Sequence, residues 1–399
     1  MLWLSAGIFL VLAYTYAGYP LLIWLLARYQ GRPVRAGNSQ IPVAVLIAAR
    51  NEAATLPRKL ANLLELARQE PIREIWIGLD GCTDGTAVRL QEQIKISNIQ
   101  YPISNHQGGG DMRSGNPPPP RIQILEFAAS RGKAAVLNEL MAKATPPVLI
   151  MMDARQRIEA GAIQALLRPL ADPQVGVVSG ALVYEQAGDG VQKGAESYWG
   201  YEKFIRHCES RYWAVPGATG AFYAIRRELC GPIPENTLVD DVLIPMRAVL
   251  KGFRCLFEPS ARVFDLPSTR FQQEGLRKRR TLAGIWQLWR LEPALFSIRT
   301  NPIWFQWISH KVLRLLTPFL VLFLLVSLGF LAWNGVAVAQ VFFGAGLGAL
   351  GASAAAYWIG RKVKSRILGL LGAFFGVNWS LLQAAGDAAS GRFQANWKK

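Results

Sequence analysis

Acidic side chains stand at the ends of two apolar segments and at the start of a helical pattern, where they could transfer protons or bind a cation. Asp80 ends "IREIWIGLD", Asp153 ends "PPVLIMMD", and the adjacent Asp240 and Asp241 open "DDVLIPMRAVL". Two acids at a helix start could also serve as a cap that contributes about 1 kcal/mol. A cleft shared with Asp80 and Asp153 is a costly place for two more acids, because like charges repel. We therefore predict a chemical role for them, such as accepting the proton of a hydroxyl group.

Arg155 stands two residues after Asp153 in "MMDARQ", where a second acid would complete a pair of metal ligands. A guanidinium repels a cation, and it pairs well with phosphate oxygens or with an acid such as Asp153. Alternate residues of a strand face opposite sides, so Arg155 could equally point away from the cleft. Both interpretations stay open, and in both of them Asp153 is the predicted metal ligand.

Alternating strand-like and helix-like stretches over residues 41–152 determine where these side chains would meet. "IPVAVLIAA", "IREIWIGLD", "RIQILEF" and "PPVLIMMD" are β-branched or apolar runs, and stretches with helical spacing separate them. Such alternation predicts an α/β fold with a mostly parallel sheet. Ligands of open parallel sheets bind beyond the carboxyl ends of the strands. Those ends carry "ARNE" (49–52), "LDGCTDGT" (79–86) and "MDARQ" (152–156).

The predicted catalytic domain covers residues 41–290. Residues 98–120 are rich in Gly and Pro without periodicity, which predicts a flexible surface insertion. Further along, "GATGAF" (217–222) predicts a tight turn that enters a strand.

Charge-free stretches flank this domain and predict membrane helices. Met1 to Ala27 and Leu315 to Gly360 contain no charged residue, and about 20 apolar residues suffice to cross a bilayer. We predict an N-terminal span over 1–28 and a C-terminal membrane region of two to three segments over 315–386. The stretch 367–386 contains polar residues and either spans or lies at the interface. Residues 291–314 predict an amphipathic helix on the membrane surface.

The distribution of basic residues predicts which side of the membrane the domain occupies. The chain of 399 residues has a net charge of +17, and four basic residues lie within 361–366 beside the membrane segments. The positive-inside rule then places the domain in the cytoplasm, in an inner or plasma membrane. No nucleic-acid-binding motif accompanies the charge, so membrane lipids and a polyphosphate ligand explain it better. Four cysteines without CxxC spacing and three scattered histidines make a zinc site improbable and favour reduced thiols.

Taken in order, the motifs resemble those of family 2 glycosyltransferases with the GT-A fold, a Rossmann-like α/β domain. The similarity covers about residues 41–290, and the flanking helices are similar to those of the membrane-embedded members, such as cellulose, hyaluronan and poly-N-acetylglucosamine synthases. "DGCTDGT" matches the family's "DGSTDGT" except at Cys82, and "RGKAAVLN" (131–138) matches "GKAxALN". "GATGAF" matches the small-residue loop at the acceptor, "LVDD" matches "TED", and "RKRRTLAG" (277–284) lies where the family has "QRxRWxxG".

The resemblance implies a role for each matching residue. It implies that Asp241 is the catalytic base with Asp240 beside it, and that Gly217, Thr219 and Gly220 line the acceptor region. It implies that the nucleotide sugar contacts Ala49, Arg50, Glu52, Asp80, Lys133, Asp153, Arg155, Arg277 and Arg280. Lys278 is an expected helper at the diphosphate.

Three positions depart from the family pattern. Arg155 replaces the second acid of the DxD metal motif, Thr281 replaces the Trp of QxxRW, and Arg277 replaces its Gln. A divalent cation, Mg²⁺ or Mn²⁺, remains an expected cofactor bound through Asp153, although Arg155 weakens that expectation. The missing Trp removes the expected stacking platform for a growing polysaccharide, and Trp286 and Trp289 are either its substitutes or membrane-interface anchors.

The implied reaction is inverting transfer of a sugar from a nucleotide-diphosphate sugar, with UDP as the expected nucleotide, to a hydroxyl of a glycan or lipid acceptor. Its setting would be synthesis of a cell-surface polysaccharide or glycolipid. Two alternatives stay open at this point. One is a catalytically silent membrane protein that binds sugar nucleotides, and the other is a transferase that adds a monosaccharide to a lipid phosphate.

Overall fold

The computed structural model of the protein describes residues 1–37, 40–100, 119–184, 190–265, 271–359 and 366–392. Almost all of the predicted insertion at 98–120, and all but the last residue of the basic stretch 361–366, lie outside these ranges.

A long apolar helix begins the chain. It consists of α1 (Leu2–Ala13), a turn of π-helix (Tyr14–Gly18) and α2 (Tyr19–Tyr29). Its last turn contains Arg28, the first charged side chain of the sequence.

Strands and helices then alternate as the periodicity predicts. The elements of the first half are β1 (Val43–Ala49), α3 (Leu56–Leu66), β2 (Ile72–Asp80), α4 (Thr86–Gln100), β3 (Arg121–Phe127), α5 (Lys133–Lys143) and β4 (Val148–Met152). The second half contains β5 (Arg157–Ile158), α6 (Ala162–Leu167), β6 (Val175–Tyr184), α7 (Gly190–Tyr212), β7 (Phe222–Arg226), α8 (Asp240–Leu250), β8 (Arg254–Asp265) and α9 (Phe271–Leu291).

The eight strands form one sheet in the order β3-β2-β1-β4-β7-β6-β8-β5. β3, β2, β1 and β4 run parallel, and so do β6 and β8. β7 is antiparallel to both of its neighbours, and β5 is antiparallel to β8. The predicted α/β fold with a mostly parallel sheet and long apolar helices at both ends is therefore confirmed.

Each face of the sheet packs against its own layer of helices. Because successive side chains of a strand point to opposite faces, Ala44 and Leu46 of β1 pack with α5 and α8, whereas Val45 and Ile47 pack with α3 and α6. All seven residues of β1 are buried, which explains why its sequence is a continuous apolar run rather than an alternating one.

The segment after α9 differs from the separate amphipathic helix predicted over 291–314. A 3-10 turn (Pro293–Phe296) leads to α10 (Trp304–Gln306) and a π-helix (Trp307–Val312), which continue directly into α11 (Leu313–Trp333). Trp307 is fully buried in the same core as β1. The apolar spacing of residues 291–314 therefore reflects packing against the core of the α/β domain.

Three helical stretches among the described residues are long and apolar enough to cross a membrane. They are Leu2–Tyr29, Trp304–Trp333 and Ala337–Trp358, the last within α12 (Ala337–Ile359). α11 and α12 contact one another along a helical hairpin, and Gly335 occupies its turn with φ of +80°.

The last helix, α13 (Arg366–Ala389), does not meet the same criteria of length and hydropathy within its described residues. It packs against α7, α9 and α12. Near its end the buried Asp387 carboxylate accepts hydrogen bonds from Nε and Nη2 of Arg279 in α9, at 3.1 and 2.5 Å. This ion pair joins α13 to the catalytic domain.

Gly78 in β2 provides a test of how closely the sheet and α5 approach. A Cβ atom at residue 78 would overlap Cγ1 of the buried Val136. We predict that Gly78→Ala lowers the free energy of unfolding by about 1–3 kcal/mol through overpacking, measured by urea denaturation of the purified protein in detergent. Gly231→Ala, where no atom lies within 4 Å, is the matched control. If the strain is local, adding Val136→Ala recovers part of the loss, and no recovery would contradict the assigned contact.

Candidate active site

The predicted acids gather at the carboxyl edge of the parallel strands. Asp80 is the last residue of β2, Asp153 follows β4, and Asp240 and Asp241 begin α8, which packs beside that edge. The side chain of Asp240 is 9% exposed and that of Asp153 is 38% exposed. The edge therefore forms a cleft with acids at different depths.

The Asp80 carboxylate accepts hydrogen bonds from the loop between β3 and α5. Its Oδ1 accepts the backbone N–H of Arg131 at 2.6 Å, and its Oδ2 accepts the N–H of Gly132 and the hydroxyl of Ser130, both at 2.9 Å. The side chain is fully buried. Its observed role is to fix the loop that leads into α5, and this loop determines where Lys133 lies.

Lys133 links two of the acids. Its Nζ lies 3.2 Å from Oδ1 of Asp153 and 3.2 Å from Oδ2 of Asp240. Burial disfavours the ammonium group, but the carboxylates of Asp153, Asp240 and Asp241 outweigh that cost and raise the pKa of Lys133 above its ordinary value. The lysine therefore stays charged and neutralises part of the acidic cluster.

Asp241 lies against the predicted acceptor loop, residues 217–220. Its Oδ2 accepts the N–H of Gly220 at 2.9 Å, and its backbone carbonyl accepts the N–H of Ala218 at 2.9 Å. A Cβ atom at residue 220 would lie 3.0 Å from the same Oδ2, so any other residue would require the carboxylate to shift by a few tenths of an ångström. Burial, followed by the neighbouring Asp240, raises the pKa of Asp241 to about 6, while Lys133 opposes the rise.

Arg155 is paired outside the Lys133 cluster. Its Nη2 lies 3.7 Å from Oδ2 of Asp265, the last residue of β8. Gln156 Nε2 donates to the same oxygen at 2.8 Å, and the ammonium of Lys59 donates to the Gln156 carbonyl. The Arg155 guanidinium therefore faces Asp265 at the end of β8, a strand that lies far from Arg155 in the sequence.

Lys59 is a buried cation at this edge. It is 3% exposed. Burial lowers its pKa to about 7, and the negative charges of Asp153 and Asp265 oppose that shift. Asp153 therefore has the side chains of Lys133 and Lys59 nearby, and Asp265 has those of Arg155 and Lys59.

A divalent cation needs more oxygen ligands than the described side chains of the cleft offer. Over the described ranges, no three His, Cys, Asp or Glu side chains are grouped so that they could hold a metal ion. Asp153, the predicted ligand, is paired with Lys133, and Asp265 is paired with Arg155. These residues do not fit a cation held by the protein alone, since Mg²⁺ takes about six oxygen ligands.

The basic motif on α9 divides into residues with different surroundings. Lys278 is exposed, Arg279 is paired with Asp387, and Arg280 is half-buried. Arg280 Nε is buried and has no hydrogen-bond partner in the described structure. Arg277 belongs to α9, but its side chain lies outside the described residues. Among the described side chains of this motif, Arg280 therefore has an Nε–H group that could still donate a hydrogen bond to a ligand.

The first predicted nucleotide loop follows β1. Ala49 is buried at the strand end, and Nη1 of Arg50 donates to Ser130 at 3.0 Å. Asn51 adopts φ of +55°, and its Oδ1 accepts the N–H of Thr83 at 2.8 Å. The Glu52 N–H donates to Thr86 at 3.0 Å. The loops after β1 and β2 are therefore joined into one wall of the cleft.

Comparison with known proteins agrees with this geometry. The family described as glycosyl transferase family 2 matches residues 44–232, and glycosyl transferase family group 2 matches residues 148–350. A β-monoglucosyldiacylglycerol synthase from a Nostoc species is 22% identical over 226 residues. That match covers 55% of this chain and 44% of the relative, so the chain spans less than half of the length of that curated relative.

Two solved structures match the chain to different extents. The mannosyltransferase PcManGT from Pyrobaculum calidifontis, in complex with GDP-Man and Mn²⁺, has a TM-score of 0.70 at 21% identity. The alignment covers 98% of this chain and all of that one. Mannosyl-3-phosphoglycerate synthase from Rubrobacter xylanophilus has a TM-score of 0.41 at 16% identity, over 66% of this chain and 78% of that one.

The second family match covers more than half of the chain, and it includes the acceptor loop, the acid pair on α8 and the basic motif on α9. The protein therefore belongs to glycosyl transferase family group 2, and the family 2 match over residues 44–232 agrees that it is a nucleotide-sugar glycosyltransferase.

Proposed function

We propose that the protein catalyses inverting transfer of a sugar from a nucleotide-diphosphate sugar to a hydroxyl group, with Asp241 as the base. The contact between Gly220 and Asp241 is the observation that carries this proposal, because it joins the acceptor loop to a carboxylate. In the reaction, the acceptor oxygen attacks the anomeric carbon as its proton passes to Asp241. The bond from that carbon to the phosphate oxygen breaks, and the nucleoside diphosphate leaves.

The electrostatic state of Asp241 suits a base that works near neutral pH. Its pKa of about 6 leaves it mostly ionised at pH 7 while keeping it basic enough to receive a proton. Asp240 is more deeply buried and is bound to Lys133, and its negative charge raises the pKa of Asp241.

The leaving diphosphate needs positive charge, because negative charge builds up on it as the bond breaks. Arg280 offers a buried Nε without a partner, and Lys278 and Arg277 lie on the same helix. We assign Arg280 as the main diphosphate contact and the other two as helpers. Lys133 and Arg155 add positive charge on the opposite side of the cleft.

A divalent cation, when bound, would supply further charge to the diphosphate. Asp153 is the protein ligand in this proposal, and the diphosphate provides the other oxygens, since the described protein groups do not complete a shell. Arg155 and Lys59 already place positive charge near Asp153 and Asp265, which reduces the dependence on a metal.

We assign the donor to the uridine diphosphate sugars and the acceptor to a lipid or a glycan at the membrane. A lipid acceptor, with a glycolipid as the product, is the class supported by the name of the Nostoc relative. Mass spectrometry of products from a panel of UDP- and GDP-sugars, with diacylglycerol and polyprenyl acceptors, identifies both substrates.

The catalytic domain is placed on the cytoplasmic side of an inner or plasma membrane. The loop at 361–366 carries four basic residues, which the positive-inside rule assigns to the cytoplasm. α11 and α12 would leave and return, and the Arg279–Asp387 pair keeps the end of α13 beside the catalytic domain. A helix whose start and end both lie on one side cannot cross, so α13 lies along the membrane surface.

The first prediction concerns the base. Asp241→Asn should lower kcat by about 10²–10⁴-fold, because the acceptor proton loses its carrier, while affinity for the nucleotide changes little. Turnover and UDP binding are measured on the purified protein. Glu228→Gln, an exposed acid outside the cleft, is the control. Equal losses of turnover and UDP affinity would instead make Asp241 a ligand contact.

The pH dependence follows from the same group. Burial and Asp240 raise the pKa of Asp241 to about 6, and the base works only when ionised, so kcat should fall as pH drops through about 6. Lys133→Met removes a cation that lowers this pKa, and it should move the acidic limb to higher pH.

The second prediction concerns Arg155. Arg155→Asp places an acid where a guanidinium repels cations, so Mn²⁺ should bind the protein–UDP complex about tenfold more tightly or better, without faster turnover. Free Mn²⁺ is measured by electron paramagnetic resonance. Arg157→Asp makes the same charge change at an exposed position two residues along. A strict metal requirement in the wild type with no effect of Arg155→Asp would refute the role assigned to Arg155.

The third prediction concerns topology. Epitope tags inserted within 361–366 and after Gly391 should both be protected from antibody in intact cells, and a tag at Asn334 should be accessible. Permeabilised cells, in which all three tags react, provide the control. Accessibility of the Gly391 tag together with protection of 361–366 would show that α13 crosses the membrane.

A further inference from the structure

The acceptor loop is held on the side opposite Asp241 by a second set of hydrogen bonds. The Thr219 N–H donates to Oγ of Ser179 in β6 at 3.0 Å. Nη2 of Arg206 in α7 donates to the same Oγ at 2.9 Å and to the Gly217 carbonyl at 3.3 Å. The loop therefore lies between Asp241 and the Arg206–Ser179 pair.

The Arg206 side chain is confined by its surroundings. Its guanidinium carbon lies 5.1 Å from the centre of the Phe257 ring. Its Nε is buried and has no hydrogen-bond partner in the described structure. The planar fork of an arginine reaches two acceptors from one fixed orientation, which a lysine cannot reproduce.

The helix that carries Arg206 is fixed to the membrane helices by charged groups. Glu202 and Glu209 lie on the same face of α7 as Arg206, because the spacings of four and seven residues recur on one side of a helix. Glu209 Oε1 accepts the hydroxyl of Tyr19 in α2 at 2.5 Å, and Glu202 Oε2 accepts Nη1 of Arg314 in α11 at 2.7 Å.

His310 joins the two glutamates. Its Nδ1 lies 2.8 Å from Glu209 Oε1, and its Nε2 lies 3.1 Å from Glu202 Oε2. Each ring nitrogen of His310 therefore lies within hydrogen-bond distance of a glutamate carboxylate. Burial opposes ionisation of Glu202, but His310 and Arg314 hold its pKa well below its usual value. These ion pairs fix α7 between α2 and the helix that continues into α11.

We propose that Arg206 is a positioning residue that sets the distance between the acceptor loop and Asp241, from a helix held by the membrane segments. The inference rests on the proposed function, in which Asp241 is the base. Without Arg206, the bonds to Ser179 and Gly217 are lost and the loop is no longer held at a fixed distance from Asp241. The Gly220 N–H, which stabilises the Asp241 carboxylate, moves with the loop.

The test compares Arg206→Lys, Arg206→Met and Ser179→Ala in the purified full chain. We expect kcat to fall about 10–100-fold, since small misplacements of reacting groups have effects of that size, with the KM for the donor changed less than twofold. Losing the Gly220 hydrogen bond should raise the pKa of Asp241, so the acidic limb of kcat should move up by about half a pH unit or more. Ser179→Ala, which keeps the arginine, should shift the limb in the same direction and is the milder variant for folding.

Arg211→Lys is the matched control, because Arg211 is an exposed arginine on the same helix. The acidic limb of the pH profile and the kcat of Arg211→Lys should equal those of the wild type. An unmoved limb in both Arg206 variants and in Ser179→Ala, with an acidic limb present in the wild type, would overturn the inference and leave the proposed function intact. Absence of the limb in the wild type, or full activity of Asp241→Asn, would instead refute the proposed function.

Discussion

The cleft depends on the ion pairs that the Lys133 ammonium forms with two carboxylates. The ammonium lies 3.2 Å from carboxylates of both Asp153 and Asp240, and without a cation there the cluster would be a set of repelling charges in partly buried surroundings. Its position follows from Asp80, whose carboxylate binds the loop ahead of α5. One buried acid at the end of β2 therefore organises the remaining acids indirectly, by fixing the start of the helix that carries their counterion.

Much of this arrangement could be predicted from local sequence. Strand and helix periodicity fixed β1 to β4 and thus the edge at which Asp80 and Asp153 meet, and the acid pair of α8 stands out as a helix start. Asp265 and Lys59 could not be found in that way, because they reach the cleft from β8 and α3 and no short motif contains them. The orientation of Arg155 was undecided for the same reason, since its partner Asp265 lies 110 residues further along the chain.

The membrane-proximal helices show where an apolar pattern is ambiguous. Trp307 has the spacing of an interfacial anchor, yet it is buried in the core of the catalytic domain, because periodicity reports an apolar face without saying what covers it. The contacts of α7 and α9 show how the catalytic domain and the long apolar helices are joined. α7 joins the acceptor loop to α2 and to the helix before α11, and α9 joins the basic motif to α13.

The pair between Arg279 and Asp387 has a consequence for how the molecule is made. The ribosome releases α9 before α13, so the helix that carries Arg280 lacks this partner until α11, α12 and α13 have been made. If α13 did not return to α9, Arg279 would lose this partner, whereas Asp387 would keep Arg392 at 3.6 Å. The Arg279–Asp387 salt bridge therefore forms only after α13 has been made and has packed against α9.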